Sequence, residues 1–260
     1  MSATEHENGK YLYAIINCPE AREFKERGIG ERSDPVYTIN KGRIAALVSD
    51  SPVVEYDNSR RNMMAHTLVL EEAMEEFDLL PVRFGTIAPE ADSICERLLE
   101  RRYEEFSQLL GQMHGRVELG LKAFWYKDVV FDEVIQENPS IRELRDSLAG
   151  KSPTESHFDR IRLGEAVEKA LTEKRRVDEE TILSRIRPHV RKTRSNKIIS
   201  ERMVLNAAFL VDRDKEKDVD LEVQKLDEEF GTRLMFKYVG PVAPYNFVNI
   251  VVDWKAQGSA

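Results

Sequence analysis

The N-terminal third of the chain contains continuous apolar runs and one helical stripe of apolar positions. Tyr11 to Ile16 is apolar throughout, which predicts a buried strand. Two further apolar runs, 36–39 and 44–48, flank Asn40-Lys41-Gly42, and Asn and Gly tolerate the positive φ of a hairpin turn. The pattern therefore predicts a strand followed by a β-hairpin.

Two helices are predicted around this hairpin. Residues 19–27 favour a short helix that ends at Gly28-Ile29-Gly30. Residues 59–77 predict a longer helix, and its apolar positions at spacings of four and three lie on one face: Met63, Thr67, Leu70, Met74 and Phe77. Residues 79–86 predict a returning strand. The order strand, helix, strand, strand, helix, strand is typical of a split βαβ, ferredoxin-like domain or a variant of it.

The second half mixes strands with long charged helices. A helix is predicted over 92–113, and alternating apolar residues from Val117 to Trp125 predict a half-buried strand. Residues 131–201 predict two or three helices and no strand. Two strands, 203–211 and 234–239, and a helix over 215–230 complete the pattern.

These elements predict an α+β protein of two domains, with a large helical insertion in the second. The predicted segments are a disordered leader (1–9), an N-terminal α+β domain (10–88), a connecting helix (89–115), a C-terminal α+β domain (116–254, insertion 131–201) and a flexible tail (255–260).

Composition narrows the class of protein. Charged residues make up 33% and apolar residues 41% of the 260 positions, which is typical of a soluble globular protein. The net charge of −8 argues against a general nucleic-acid binder. Cys18 and Cys95 lack zinc-site spacing, the N-terminus has no signal-peptide pattern, and the longest apolar stretch, 203–211, is too short for a bilayer. We therefore expect a cytoplasmic protein with no nucleic-acid or membrane partner.

No motif predicts a catalytic, cofactor or metal site. Gly28-Ile29-Gly30 lacks the third glycine of a phosphate loop, so a turn is the simpler interpretation. His66 lies beside Met63 and Leu70, where it is either a hydrogen-bonded structural histidine or a general base. Arg83 points away from Val82 and Phe84, towards solvent, a partner, or a carboxylate of Glu71, Glu72 or Glu75; we favour the ion pair. The paired carboxylates along the helices are interpreted as solvated faces.

Two segments remain as candidate partner surfaces. Residues 185–202 carry a net charge of +6, and their basic side chains include Arg185, Arg187, Arg191, Lys192, Arg194 and Lys197. They either pair with nearby carboxylates such as Asp178-Glu179-Glu180 or dock an acidic partner. In the second segment, 240–248, Gly240, Pro241 and Pro244 interrupt regular pairing, and Tyr245 and Phe247 either pack in the core or contact a partner.

Several segments in matching order resemble one known family. They are Tyr11-Leu12-Tyr13-Ala14-Ile15-Ile16, His66 some fifteen residues before Leu80-Pro81-Val82-Arg83-Phe84-Gly85-Thr86, Val117 to Lys122, Asn206 to Val211, and Gly240-Pro241-Val242-Ala243-Pro244-Tyr245-Asn246-Phe247-Val248. From about residue 10 to 254 the chain resembles the gas vesicle accessory proteins of the F/L type. One departure is that the family usually has Trp and Pro where this chain has Val242 and Ala243.

The resemblance implies a two-domain α+β protein whose second domain is a modified ferredoxin-like fold with long inserted helices. It implies a minor gas vesicle component or assembly factor that binds the hydrophobic main shell protein and limits its aggregation, with other gas vesicle accessory proteins as further partners. The family supplies no catalytic residues. Alternative functions are a ligand-sensing or enzymatic protein with His66 and Arg83 in a pocket, and RNA binding through residues 185–202.

Overall fold

The computed structural model describes residues 8–252 and 254, and the chain divides into two compact units. The first unit contains the chain up to Glu118 and the residues from Pro241 onward, and the second contains Leu119–Gly240. The predicted connecting helix and residues 241–254 therefore fall in the first unit rather than outside it. The predicted leader and tail lie outside the described residues, apart from Asn8 and Gly9, which begin the first strand.

The first unit contains a six-stranded sheet and helical segments. Its elements are β1 (Asn8–Ile16), β2 (Glu23–Arg27), β3 (Pro35–Lys41), β4 (Ile44–Pro52), α1 (Arg60–Glu76), β5 (Leu79–Pro81), β6 (Ile87–Ala88), a π-helical segment (Ser93–Glu100) and α2 (Tyr103–Met113). The strand order is β2-β3-β4-β1-β5, and β6 also pairs with β1. Strand β1 lies inside the sheet, where its residues from Tyr11 to Ile16 are all 0% exposed, as the apolar run predicts.

The hairpin and the long helix are confirmed, with a change in the helix face. Strands β3 and β4 pair from Val36↔Ser49 to Lys41↔Ile44, and Gly42 turns between them with φ +59°. In α1, Leu70 and Met74 are buried as predicted, but Met63 and Thr67 are exposed, and His66 is buried instead. The inward face is therefore rotated towards His66, Val69 and Ala73.

The predicted helix over 19–27 is wrong, because this segment forms strand β2. Phe24 pairs with Val36 of β3, and its ring lies 6.3 Å from that of Phe77. The carboxylate of Glu72 on α1 accepts hydrogen bonds from the backbone amides of Lys25 and Glu26, both at 2.8 Å. These long-range contacts override local helix propensity. The interpretation of Glu72 as part of a solvated helix face is therefore incomplete, because its carboxylate also binds the backbone of β2.

The predicted single helix over 92–113 is divided. Its first part is the π-helical segment, and residues 101–102 form a turn before α2 begins at Tyr103. Both parts are anchored by buried apolar residues, which include Ile94 and Leu99 in the first and Phe106 and Leu110 in the second.

The second unit packs helices on a four-stranded sheet of order β10-β7-β9-β8. Its elements are β7 (Arg116–Trp125), α3 (Lys127–Glu137), α4 (Pro139–Ser147), α5 (His157–Ile186), β8 (Lys192–Ser195), β9 (Met203–Asp212), α6 (Glu216–Phe230) and β10 (Leu234–Val242). The expectation of no strand between 131 and 201 is wrong, because β8 pairs with β9 from Lys192↔Leu210 to Ser195↔Ala207. The prediction of helices in this interval is confirmed: α4 and α5 lie within it, and α3 begins just before it and ends inside it.

The core of the second unit confirms the alternation of β7. Leu119, Leu121, Ala123 and Trp125 are at most 1% exposed and pack with α5 and α6 residues. Strand β10 continues past its predicted end, through Gly240 and Pro241. A proline is tolerated there because β10 is an edge strand.

A buried ion-pair network ties the inserted helices to the sheet. Asp178 of α5 is 8% exposed and receives two bonds from Arg233, at 2.9 and 2.7 Å. The indole N–H of Trp125 donates to the same carboxylate at 2.7 Å, and Arg233 also donates to Glu133 of α3 at 2.7 Å. Asp178 is thus a core residue, not the surface partner of the basic segment that the sequence suggested.

Candidate functional site

The segment from Leu80 to Thr86 forms a turn over β1 rather than one strand. Strand β5 pairs with Ala14–Ile16, β6 pairs with Lys10 and Tyr11, and the chain leaves the ladder between them. Pro81, the last residue of β5, pairs with Ala14. Gly85 has φ +81°, a conformation that residues with a side chain rarely adopt. The predicted strand over 79–86 is therefore wrong at its centre, where the turn brings Phe84 and Gly85 to the β1 tyrosines.

A chain of hydrogen bonds connects this turn to His66. The Gly85 amide donates to the hydroxyl oxygen of Tyr11 at 2.9 Å, and that hydroxyl lies 3.0 Å from Nδ1 of His66. The phenol has one proton, and donating it to Nδ1 satisfies both groups. Nε2 then carries the imidazole proton and donates it to the hydroxyl of Tyr245 at 2.6 Å. The network thus assigns His66 the Nε2–H tautomer.

Aromatic rings enclose the imidazole. Tyr13 stacks on His66 at a centroid distance of 5.4 Å, and Tyr11 and Phe84 meet it edge-on at 5.8 and 5.6 Å. The Tyr245 ring lies at 6.4 Å. His66 is 2% exposed, and burial lowers its pKa to about 4, so the imidazole is neutral near pH 7. Burial also raises the pKa of Tyr13 to about 12.

The C-terminal segment is attached to the first unit at this cluster. Tyr245 is 43% exposed, although its hydroxyl points inward to His66. Next to it, the backbone and side-chain amides of Asn246 donate to the carboxylate of Glu118 at 2.7 and 2.5 Å. Ala243 is 3% exposed and packs in the core of the first unit.

The remaining predicted residues of this segment have different environments. Pro244 is buried and its carbonyl accepts bonds from the amides of Phe247 and Val248, both at 3.0 Å. Phe247 is half-buried, whereas Gly240 and Pro241 are exposed. The structure thus brings His66, Phe84, Gly85 and Tyr245 together and leaves Gly240 and Pro241 outside the cluster.

Arg83 does not join His66 in a ligand site. Its side chain is exposed, and among the described residues it forms no ion pair with Glu71, Glu72 or Glu75. The backbone carbonyl of Arg83 accepts from Thr86, from the hydroxyl at 2.7 Å and the amide at 3.3 Å. Both nitrogens of His66 are occupied by tyrosine hydroxyls, so the imidazole is not offered to a ligand. This geometry favours the structural interpretation of His66.

The basic segment pairs largely with carboxylates of its own unit. Arg185 contacts Glu222 at 3.2 Å and Glu229 at 3.0 Å on α6. Arg187 pairs with Glu180 at 2.6 Å, and Arg191 with Asp212 at 2.6 Å. Lys192, Arg194 and Lys197 are exposed on or beside β8. These ion pairs neutralise part of the positive charge that RNA binding through this segment would need.

The sequence pattern did not reveal the roles of Tyr11, Tyr13 and Glu118. Tyr11 and Tyr13 lie in a run predicted to be buried on both faces, and two phenols there each require a hydrogen-bond partner. The sequence therefore already indicated that polar partners for these two hydroxyls lie in the core. Glu118 lies in the alternating strand at a position predicted to face solvent, but it is 4% exposed because Asn246 binds it.

Neither a metal cluster nor a membrane-spanning helix is present in the described residues. No cluster of three or more histidine, cysteine, aspartate or glutamate side chains there has metal-site geometry. In the same part of the chain, no helix combines the length and apolar character that spanning a membrane requires.

Several large apolar side chains are exposed on two helices. On α1, Met63, Met64 and Leu68 are 40, 56 and 37% exposed. At the start of α5, Phe158 is 79% and Ile161 46% exposed. Grouped apolar side chains on a surface are typical of sites that contact another molecule.

The architecture is a mixed helix and sheet fold with a buried aromatic cluster around His66, and it has known counterparts. The crystal structure of gas vesicle protein GvpF from Anabaena sp. PCC7120 superposes with a TM-score of 0.81 at 28% identity, covering 94% of this chain and 100% of that one. Gas vesicle protein F of Dolichospermum flosaquae is 27% identical over 244 residues, 92% of this chain and 97% of the relative. Gas vesicle protein F of Streptomyces sp. strain CB03234 is 32% identical over 242 residues, 92% and 98% of the two chains.

These similarities place the chain in the class of gas vesicle proteins. Residues 9–249 match the family described as gas vesicle synthesis protein GvpL/GvpF, and the chain belongs to that family. The resemblance recognised in the sequence is confirmed.

Proposed function

We propose that this protein is a non-enzymatic assembly factor that binds the hydrophobic main shell protein of gas vesicles and limits its aggregation. The observation that carries the proposal is the family match over residues 9–249, nearly the whole chain. A gas vesicle shell subunit exposes apolar surface before assembly, and such surface promotes aggregation. A carrier with a net charge of −8 would keep the bound subunit in solution.

The surface of the chain supports a carrier role. Met63 and Met64 on α1 are flexible side chains that adapt to varied apolar partners. Phe158 and Ile161 add a second exposed apolar pair one helical turn apart. The enclosed state of His66 gives no support to the alternative of a sensing or enzymatic pocket there.

Co-expression with the shell protein tests the proposal. The soluble fraction of the shell protein, measured after high-speed centrifugation, should rise with this chain and not with an unrelated acidic protein of similar size. Co-purification of the two chains from the supernatant should accompany the rise. An unchanged soluble fraction with no co-purification would contradict the proposed function.

We also propose that both units are ferredoxin-like variants. In the second unit the order β7, helices, β8, β9, α6, β10 supports this, with α3–α5 standing in place of one helix. In the first unit the order differs by the replacement of the first helix with β2.

A further inference from the structure

A groove in the second unit has the features of a preformed binding site. It has a volume of about 590 Å³ and lies between α3, the middle of α5 and residues 200–202. Ligand-binding pockets in proteins typically have a volume of several hundred Å³, apolar walls and a few polar groups. Its lining residues are Trp125, Lys127, Val130, Phe131, Leu171, Ser200, Glu201 and Arg202.

The walls of the groove are apolar and held in place. Trp125 and Val130 are each 1% exposed, and Phe131 and Leu171 are half-buried beside them. The Trp125 indole is fixed by its bond to Asp178, and the guanidinium of Arg175 lies 5.5 Å from the ring centroid. A wall fixed in this way loses little conformational entropy when a ligand binds.

The charge around the groove is positive. Arg175 is fixed by the backbone carbonyls of Met203 and Glu201, at 3.0 and 2.8 Å, rather than by a carboxylate. Lys127 and Arg202 are exposed at the rim, and neither forms an ion pair with a described residue. Glu201 is the acidic side chain of the lining. The lining itself carries two cations, Lys127 and Arg202, against the one carboxylate of Glu201, a local excess of one positive charge on a chain whose net charge is −8.

We propose that this groove docks a segment of a partner protein that presents an aliphatic side chain beside a carboxylate. The aliphatic group fills the space between Phe131 and Leu171, and the carboxylate pairs with Lys127 and Arg202. This inference rests on the proposed function, because it assigns the segment to the apolar protein that the chain carries. Exposed Ile199, at 70%, extends the apolar surface next to Ser200.

Trp125 reports on occupancy of the groove. The chain has two tryptophans, so Trp254→Phe leaves Trp125 as the single indole fluorophore. The probe is an acetylated seven-residue peptide of leucine and glutamate, and its counterpart has lysine in place of each glutamate. We expect a saturable change in Trp125 fluorescence with the acidic peptide and affinity lower by about tenfold for the basic one. Absence of a saturable change, or equal affinity for the two peptides, would overturn the proposal.

Charge reversal at the rim supplies the second measurement. The double variant Lys127→Glu, Arg202→Glu should bind the acidic peptide roughly tenfold more weakly, since each exposed pair contributes modestly. Lys217→Glu is a matched control, because Lys127 and Lys217 are both exposed in the first turn of a helix, where an acidic side chain is tolerated. Equal binding by the double variant and wild type would refute the charge assignment.

The same variants separate this inference from the proposed function. If wild type keeps the shell protein soluble and the double variant does so equally well, the carrier function stands and the groove is not its docking site. If wild type fails to keep it soluble, the proposed function fails, and the peptide titration still decides whether the groove binds its predicted ligand.

Discussion

His66 and Tyr245, 179 positions apart in sequence, are joined by a hydrogen bond of 2.6 Å between Nε2 and the tyrosine hydroxyl. The bond links α1 to the C-terminal segment within the first unit. It also uses the single N–H of a histidine that is 2% exposed. The stability of the first unit should therefore depend on Tyr245 although its ring is partly exposed.

Tyr245→Phe should lower the free energy of unfolding by about 1–3 kcal/mol, because it leaves the Nε2–H of His66 without its acceptor. Chemical denaturation at pH 7 measures the change. Tyr126→Phe is the matched control: Tyr126 is also 43% exposed, and its hydroxyl makes no hydrogen bond to a described residue. Equal stability of the two variants would show that the bond contributes nothing.

Stability should fall as the pH drops from about 6.5 towards 4. The folded-state pKa of His66 is lowered to about 4, so between these values the unfolded state binds the proton and the folded state does not. Above about pH 6.5 the neutral His66 contributes about 3 kcal/mol to the free energy of unfolding, and this contribution is lost as the pH falls towards 4. Among the described residues, the aromatic rings that lie against the imidazole belong to Tyr11, Tyr13, Phe84 and Tyr245.

The pH effect is isolated by His66→Gln, whose amide does not titrate. Denaturation at several pH values should show a smaller fall in stability for this variant than for wild type. All other titratable groups are present in both proteins, so the difference between the two pH profiles reports His66. Parallel pH profiles would contradict the assignment.

Two glycine substitutions should change stability in opposite directions. Gly85→Ala should destabilise by about 1–2 kcal/mol through the backbone alone, since Gly85 has φ +81° and its added Cβ meets no atom within 4 Å. Gly111→Ala, in α2 and equally unobstructed, should stabilise by about 0.5–1 kcal/mol. Thermal melts of both variants check the pair, and a stabilised Gly85→Ala would refute the turn conformation.

Removal of a buried and an exposed ion-pair partner should differ widely in effect. Asp178→Ala should destabilise the second unit by about 3–5 kcal/mol, because it leaves the buried Trp125 N–H without its acceptor and removes two of the bonds of Arg233, which keeps those to Glu133. Arg187→Ala removes the exposed pair with Glu180 and should cost less than about 1 kcal/mol. Urea denaturation measures both, and similar losses would show that burial does not govern the difference.

Periodicity by itself determined most of the regular elements. The apolar run of β1, the Asn40-Lys41-Gly42 hairpin, the helix α1 and the alternation of β7 all appear in the structure, because runs, turn residues and fixed spacings are local features of the sequence. The order of family motifs also identified the family. None of these inferences needs contacts between distant parts of the chain.

Tertiary structure decided the elements and contacts that depend on distant residues. Residues 23–27 form a strand because β3 and Glu72 supply their hydrogen bonds, and β8 forms because β9 lies beside it. The pairing of His66 with Tyr245, and of Asp178 with Arg233, joins residues whose spacing carries no periodic signal. A local pattern records which side of an element is buried, whereas the partner that satisfies a buried polar group is chosen only when the chain folds.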